Sequence, residues 1–95
     1  MEKLTLEKAL EIGPGDRIVF TPEEKLDSYK IVPGNIYEVE RVQLFRISPD
    51  SKRCSFESFR TKHDFLNQSN KMPVNEVFYS LKEVGGFYTY KMFSI

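Results

Sequence analysis

The hydrophobic positions near the start of the chain recur at helical spacing. Leu6, Ala9 and Leu10 stand at i, i+3 and i+4, and Thr5 before them is a favourable N-cap residue. The pattern predicts a short amphipathic helix over residues 6–12. So short a helix is not stable alone in water, and we expect its apolar stripe to pack on the rest of the fold.

A repeated phrase predicts the first two strands. Pro14 and Gly15, and again Pro33 and Gly34, precede a run of β-branched and aromatic residues. Pro presets one turn dihedral and Gly accepts a positive φ, so each pair predicts a tight turn that leads into a strand. The first strand is expected at residues 17–21.

Residues 36–42, which follow the second Pro-Gly pair, are expected to form a strand whose successive side chains point to opposite faces of the sheet. Tyr37 and Val39 are expected to point inward, and Val42 is expected on the opposite side with Glu38. Residues 43–47 either continue this strand through a bend or form the next one.

The last part of the chain predicts a hairpin. Two aromatic-rich runs, residues 77–82 and 87–93, flank Gly85 and Gly86, and a Gly-Gly pair between such runs is a strong hairpin signal. We expect the chain terminus at Ile95 to be paired in the sheet.

The least regular stretch is residues 52–76, which we interpret as an insertion between the third and fourth strands. Phe56 and Phe59, followed by Phe65 and Leu66, fit either a helical turn or a short strand. Together the patterns predict one mainly β domain over residues 1–95. It is expected to have about five antiparallel strands in a small barrel or curled sheet, with a short N-terminal helix.

Composition narrows the class of protein. The 95 residues are 40% hydrophobic and 29% charged, which suits one folded domain and is not typical of disorder. A single cysteine, Cys54, fits a reducing compartment, and we expect a cytoplasmic protein. The pattern shows neither a membrane-spanning run nor the layout of a signal peptide.

The charges are balanced overall. The first 50 residues hold seven Lys/Arg and ten Asp/Glu, and the remainder hold seven and four. This asymmetry is too small to require a nucleic acid as partner, and a zero total argues against a DNA-mimicking inhibitor.

Catalytic and metal-binding signals are weak. His63 is the single histidine, and Cys54 and Asp64 are its nearest candidate partners, but they form no recognisable catalytic motif. The sequence has no Cys-x-x-Cys pair, and its glycines do not open a helix as phosphate-binding loops do. We therefore expect no enzyme, no metal and no cofactor.

Two sequence features suggest binding. The polar, acidic segment of residues 22–30 predicts an exposed loop, which is either a binding loop or a solvated excursion without a binding role. The 52–66 segment interleaves basic and aromatic residues, which predicts a nucleic-acid-binding surface made of Arg53, Phe56, Phe59, Arg60 and Lys62. The alternative interpretation is that Phe56 and Phe59 belong to the core and the basic residues are their solvated neighbours.

The chain resembles the small SH3-like barrel proteins of bacteriophages and prophages. The features that carry this resemblance are the leader helix, the phrase Pro14 to Phe20, the acidic loop, the phrase Gly34 to Val39 and the final hairpin. The resemblance covers residues 5–47 and 77–95, and the 52–76 segment departs from it. It implies an SH3-like barrel and a non-enzymatic phage accessory protein that binds a host protein or complex, either for host takeover or as an anti-defence inhibitor. The binding residues that it implies are tyrosines: Tyr29, Tyr37, Tyr79, Tyr88 and Tyr90.

Two alternatives to a host protein partner stay open from the residues. The first is the nucleic-acid-binding module of the 52–66 segment. The second is self-association through the edge of the C-terminal strand.

Overall fold

The computed structural model describes residues 2–23, 30–50, 53–69 and 72–95, and it is mainly β. The helices are α1 (Leu6–Ala9) and α2 (Lys62–Leu66), and a 3-10 turn covers Tyr90–Met92. The strands are β1 (Arg17–Phe20), β2 (Ile36–Ile47), β3 (Cys54–Phe59), β4 (Val74–Leu81), β5 (Gly85–Thr89) and β6 (Phe93–Ser94). No helix among the described residues is long and apolar enough to cross a membrane.

Within the described part of the chain, the six strands form one antiparallel sheet in the order β5-β4-β2-β1-β6, with β3 also paired to β2. The long β2 organises this arrangement, because its first half pairs with β1 while its second half pairs with β3 on one side and β4 on the other. The described strands do not close into a barrel. The prediction of a mainly β, antiparallel fold with a short N-terminal helix is confirmed, with six strands instead of about five.

A β-bulge in β2 overturns one predicted orientation. The register with β4 shifts between Val39 and Arg41, so one extra residue enters β2 and the alternation of its faces changes. Tyr37 and Val39 point inward as predicted, but Val42 is also fully buried. The prediction that Val42 lies on the outer side was wrong, because simple alternation takes no account of a bulge.

The core lies on one face of the sheet, beneath β1, β2 and β4. Phe93 of β6 packs against Phe20 and Tyr79, with ring centroids 5.7 Å and 5.9 Å apart. All three side chains are buried. Since Phe20 belongs to β1 and Tyr79 to β4, the short last strand joins both sides of the sheet through apolar packing.

The two ends of the described chain are joined to one another. Helix α1 is capped as predicted, because the hydroxyl oxygen of Thr5 accepts a hydrogen bond from the backbone N–H of Lys8. The helix is shorter than residues 6–12, because it ends at Ala9. Backbone bonds between Glu2 and Ile95 pair the C-terminal end of the chain with its beginning, in agreement with the prediction for Ile95.

The insertion predicted at residues 52–76 contains a strand and a helix. Residues 54–59 form β3, while Phe65 of α2 is fully buried and meets Phe59 edge to ring at 5.6 Å. A Cβ on Gly13 would stand 3.1 Å from the side chain of Phe65, so α2 packs directly on the turn that follows α1. Lys62 completes this contact by an ion pair of 2.9 Å with Asp16.

Candidate functional site

The face of the sheet that points away from the core carries phenylalanines. Cross-strand neighbours share a face, and the register places Phe45 opposite Phe56 and Ser80 opposite Phe87. Phe78 belongs to the same face because it stands opposite Gln43. We call this group the outer aromatic face; its members are Phe45, Phe56, Phe78 and Phe87.

The outer aromatic face is a diagonal stripe across four adjacent strands. Phe56 on β3 contacts Phe45 on β2 with ring centroids 4.8 Å apart. Phe78 on β4 is the diagonal neighbour of Phe45, and Phe87 on β5 is the diagonal neighbour of Phe78. Diagonal neighbours remain within reach of aromatic side chains, so the four rings form one patch.

The two ends of the stripe are the most exposed. Phe56 is 60% exposed and Phe87 is 40% exposed, while Phe45 and Phe78 are partly buried between them. Single exposed apolar residues are ordinary on protein surfaces, but contiguous apolar patches usually mark an interaction site. These four aromatic residues therefore form the strongest candidate site among the described residues.

Polar groups of both signs surround the stripe. The Arg41 guanidinium lies over the Phe87 ring at 5.2 Å, a cation–π contact above the buried Ser80. On the other side Glu76 accepts a hydrogen bond of 2.7 Å from the Thr89 hydroxyl and pairs with Lys91 at 3.7 Å. An apolar centre with a mixed polar rim is the usual composition of a protein interface.

A buried arginine explains why Phe45 is on the outside. Arg46 is 2% exposed, and its Nε lies 2.8 Å from a carboxylate oxygen of Glu57. Its guanidinium also donates to the side-chain oxygen of Gln68 and to the carbonyl of Met72. Because neighbouring strand residues point to opposite faces, the inward Arg46 places Phe45 on the outer face of the sheet.

The predicted tyrosine site is dispersed in the structure. Tyr37 and Tyr79 are core residues, and the Tyr37 hydroxyl accepts a bond of 2.8 Å from the backbone N–H of Val32. Tyr88 and Tyr90 are half-buried and pack against the core. Tyr29 lies outside the described residues, as do residues 24–29 of the predicted binding loop. Of the four described tyrosines, two are thus buried and two are half-buried, and they do not form one fully exposed patch.

Burial also explains the protonation state of Tyr79. Desolvation raises the pKa of its hydroxyl well above the ordinary value, and the negative charge of Asp16 and the hydroxyl of Tyr90 raise it further. The hydroxyl therefore stays protonated at neutral pH. It donates a hydrogen bond of 2.9 Å to the carbonyl oxygen of Ala9.

The residues predicted to bind nucleic acid do not share one surface. Phe56 is on the outer aromatic face, whereas Phe59 points inward and packs on Phe65. Lys62 is engaged with Asp16. Arg53 and Arg60 are exposed at the two ends of β3.

A cleft near the bulge is small and has mixed charge. It measures about 320 Å³, and its lining includes Glu38 and Glu40 together with Arg60 and Lys82. Within the described ranges, no cluster of three or more His, Cys, Asp or Glu side chains could hold a metal ion.

The two candidate catalytic residues are separated in the structure. Cys54 is exposed at the first position of β3, while His63 lies on α2, beyond the other end of that strand. The nearest described partner of the His63 ring is the side-chain amide of Asn67, at 3.4 Å from Nδ1.

Three members of the outer aromatic face, Phe45, Phe78 and Phe87, are absent from the sequence-based site predictions. A signal for them exists in the sequence. Phe78 stands between Val77 and Tyr79, so both faces of that strand are apolar, and the face that does not contribute to the core becomes a candidate binding surface. Which of the two would be exposed depends on the strand register, which this pattern does not specify.

Comparison of the chain with family models, with curated proteins and with solved structures gives no significant match.

Proposed function

We propose that this protein is a non-catalytic binding module and that it binds a protein partner on the outer aromatic face. The observation that supports this proposal best is the diagonal stripe Phe56, Phe45, Phe78 and Phe87, which crosses four strands on the solvent side of the sheet. Aromatic residues are enriched in protein interfaces, and a few such anchors usually supply most of the binding energy.

The charges near the stripe favour a protein over a nucleic acid. A nucleic-acid interface needs a surplus of free cations for phosphates. Here the carboxylate of Glu76 lies beside the aromatic stripe, and the cation nearest to Phe87 is already placed over its ring. The chain has no net charge, which gives it no general attraction for a polyanion.

The fold details are consistent with a strongly curled sheet of the SH3-like type, which we include in the proposal. Strands β5 and β6 lie at opposite ends of the strand order, yet the 3-10 turn Tyr90–Met92 alone separates them in the chain. Three residues of 3-10 helix rise only about 6 Å, so the two sheet edges lie near each other.

The proposed partner is a host protein in a bacterial cytoplasm. This part of the proposal depends on the resemblance to phage SH3-like barrel proteins, in which small accessory domains act by binding rather than by catalysis. Binding of a host complex, to redirect it or to block a defence, requires no catalytic group and agrees with the exposed aromatic stripe.

The test is capture of partners from a bacterial lysate by the tagged protein, with and without nuclease. We expect a discrete protein that remains bound after nuclease treatment and that is lost when Phe56→Ser and Phe87→Ser are combined. Loss of interface anchors costs about 2 kcal/mol each, roughly thirtyfold in affinity. Leu66→Ser is the matched control, because Leu66 on α2 is 59% exposed, close to the exposure of Phe56.

Two results would contradict the proposal. Equal capture by the double variant and the wild type would exclude the outer aromatic face as the binding site. Binding that disappears with nuclease or with moderate salt would favour the nucleic-acid alternative. Circular dichroism of each variant checks that the substitutions leave the fold intact.

A further inference from the structure

Strand β3 has an open edge. It pairs with β2 on one side, and no described strand pairs with its other side. The strand is six residues long, and Phe56 of the outer aromatic face stands near its middle. An open edge strand presents unpaired backbone N–H and C=O groups to any chain that can adopt an extended conformation.

The alternation of hydrogen-bonded pairs between β2 and β3 determines which backbone groups of β3 point to the open edge. The backbone N–H of Ser48 donates to the carbonyl of Arg53 at 2.8 Å, which makes these two residues a hydrogen-bonded pair. Such pairs alternate with non-bonded pairs in an antiparallel ladder. The backbone groups of Ser55, Glu57 and Phe59 therefore point to β2, and those of Cys54, Phe56 and Ser58 point to the open edge.

The edge has few of the features that usually prevent pairing. Protected edge strands carry lysine, proline, a bulge or an inward-pointing charge, or they are very short, and of these features β3 has the inward-pointing charge alone. The outward side chains of β3 are Cys54, Phe56 and Ser58, and its one charged residue, Glu57, is directed inward to Arg46. The other edge strand of this region, β5, instead begins with two glycines at positive φ.

The charges at the ends of β3 indicate which chain would pair with it. Arg53 and Arg60 are both exposed, and neither forms an ion pair within the described ranges. They stand seven residues apart, about 23 Å along an extended strand. A complementary strand therefore has an acidic residue near each end and uncharged residues between them.

The same charges disfavour a second copy of this chain. In an antiparallel pair centred on Phe56, Arg60 of one copy would come within one residue of Arg53 of the other. A parallel pair would place each arginine beside its own counterpart. Both arrangements bring like charges together, which destabilises a strand pair.

We propose that the open edge of β3 binds an extended segment of the protein partner, which places an apolar side chain beside Phe56 and an acidic residue near each of Arg53 and Arg60. This inference rests on the proposed function, since the added strand would extend the outer aromatic face onto the partner. Backbone pairing supplies affinity in this mode, and the side chains supply selectivity.

A designed peptide tests the proposal without knowledge of the partner. The probe is the capped peptide Glu-Thr-Val-Thr-Val-Thr-Val-Glu with a fluorescent label, and its control has Lys at both ends. We expect the acidic probe to bind about tenfold more tightly than the lysine control. The combined variant Arg53→Glu and Arg60→Glu should reverse this preference. Amide hydrogen exchange should slow at Cys54, Phe56 and Ser58 when the acidic probe is bound.

Ser58 offers a variant that blocks the edge with little change to the sheet. Its backbone N–H points to the open edge, so Ser58→Pro removes no bond to β2 but prevents pairing with an added strand. We expect Ser58→Pro to abolish binding of the acidic probe and Ser58→Ala to retain it. The proposal is overturned if the protein binds the acidic probe and the lysine control with equal affinity, or if the bound probe slows amide exchange at strands other than β3. It is also overturned if light scattering shows that the free protein is a stable dimer.

Capture from the lysate separates this proposal from the one on which it rests. If Ser58→Pro still captures a partner that the Phe56 and Phe87 variant loses, the outer aromatic face is a binding site and the β3 edge is not. If the variant with both Phe56→Ser and Phe87→Ser captures the partner as well as the wild type does, the proposed function itself is wrong. Loss of capture in both variants, with retention by Ser58→Ala, supports both proposals.

Discussion

The Tyr79 hydroxyl donates a hydrogen bond of 2.9 Å to the carbonyl oxygen of Ala9, and this bond joins the middle of the sheet to the leader helix. Both residues are fully buried. The sheet strand β4 and the short helix α1 are 70 residues apart in the chain, so the contact is a long-range one. It gives a helix of four residues, too short to be stable alone, a fixed position on the core.

Tyr79→Phe should lower the free energy of unfolding by about 1 kcal/mol. The substitution keeps the ring and removes one buried hydrogen bond, while the Ala9 carbonyl retains its bond from the N–H of Ile12. Denaturant unfolding followed by circular dichroism measures the change. Tyr90→Phe is the control, because no hydrogen bond of the Tyr90 hydroxyl is present in the described part of the chain. Equal losses in the two variants would show that the Ala9 bond has no special role.

The stability contributed by Tyr79 should decline above pH 10. In the unfolded chain its hydroxyl ionises near the ordinary pKa of 10.0, whereas burial in the folded protein raises the pKa far above this value. Above pH 10 the unfolded state therefore binds fewer protons than the folded state, and the free energy of unfolding falls as the pH rises. Below pH 10 both states keep the proton and Tyr79 adds no pH dependence.

Lysine side chains also lose protons near pH 10, so a comparison with Tyr79→Phe is needed to separate the pH dependence that Tyr79 contributes from that of the lysines. Between pH 9 and pH 11 the wild type should lose about 1.4 kcal/mol more stability than the variant. Denaturant unfolding of both proteins at the two pH values gives the difference directly. Parallel pH profiles would indicate that Tyr79 ionises in the folded protein as easily as in the unfolded chain.

The ion pair between Arg46 and Glu57 should contribute more to stability than an exposed pair. Glu57→Gln leaves the buried guanidinium without its counter-charge, and we expect a loss of about 1–3 kcal/mol. Glu38→Gln is the control, because Glu38 is about as exposed as Glu57 but its partner Lys82, at 3.6 Å, is 67% exposed, so this pair should contribute less than about 1 kcal/mol.

A double-mutant cycle tests whether the contribution of Glu57 comes from Arg46. In an Arg46→Met background, Glu57→Gln should cost much less than in the wild type, since the cation is then absent. Chemical unfolding of the four proteins in the cycle supplies the values. A cost of Glu57→Gln that is the same in both backgrounds would show that the two side chains act independently.

Two glycines should resist substitution for different reasons. Gly13→Ala places a Cβ 3.1 Å from side-chain atoms of Phe65 and Lys62, so these side chains must shift by a few tenths of an ångström, and because Phe65 is fully buried we expect a cost of about 1–3 kcal/mol. Gly15→Ala meets no atom within 4 Å, but φ is +94° there, and the left-handed region costs an alanine about 1–2 kcal/mol. Amide exchange in α2 should accelerate in the Gly13 variant and stay unchanged in the Gly15 variant.

A second substitution distinguishes these two causes. Phe65→Leu makes room beside Gly13, so it should reduce the cost of Gly13→Ala while leaving the cost of Gly15→Ala as it was. Thermal unfolding of the single and double variants measures these changes in stability. If Phe65→Leu has the same effect on both alanine variants, steric contact is not the cause of the Gly13 effect.

Local signals in the sequence were sufficient for most elements. Thr5 caps the first helix because its side chain bonds the backbone three residues later, a contact that depends on neighbouring residues alone. The glycines at positions 15 and 34 adopt the positive φ that the Pro-Gly turns require. The Gly85 and Gly86 pair opens β5 after the turn from β4, as the hairpin signal indicates.

The candidate site could not be predicted in the same way. Hydrophobicity alone would place Phe45 inside and Arg46 outside, and the structure has the reverse. Arg46 is buried because residues far along the chain compensate its charge: Glu57 provides the counter-charge, and Gln68 and the Met72 carbonyl accept hydrogen bonds from its two terminal nitrogens. The tyrosine site was an implication of the family resemblance, which does not specify which tyrosine rings are buried, and Tyr37 and Tyr79 are core residues.

The sequence by itself determined the mainly β class, the capped leader helix, the turns and the terminal hairpin, because each depends on dihedral preferences and hydrogen bonds between near neighbours. The tertiary structure alone decided which face of β2 and β4 is buried, where β3 pairs, and that four phenylalanines remain on the solvent side. A single bulge after Val39 reverses the inward and outward positions of the rest of β2. That reversal depends on pairing with strands far along the chain, and this long-range pairing places the aromatic stripe on the surface.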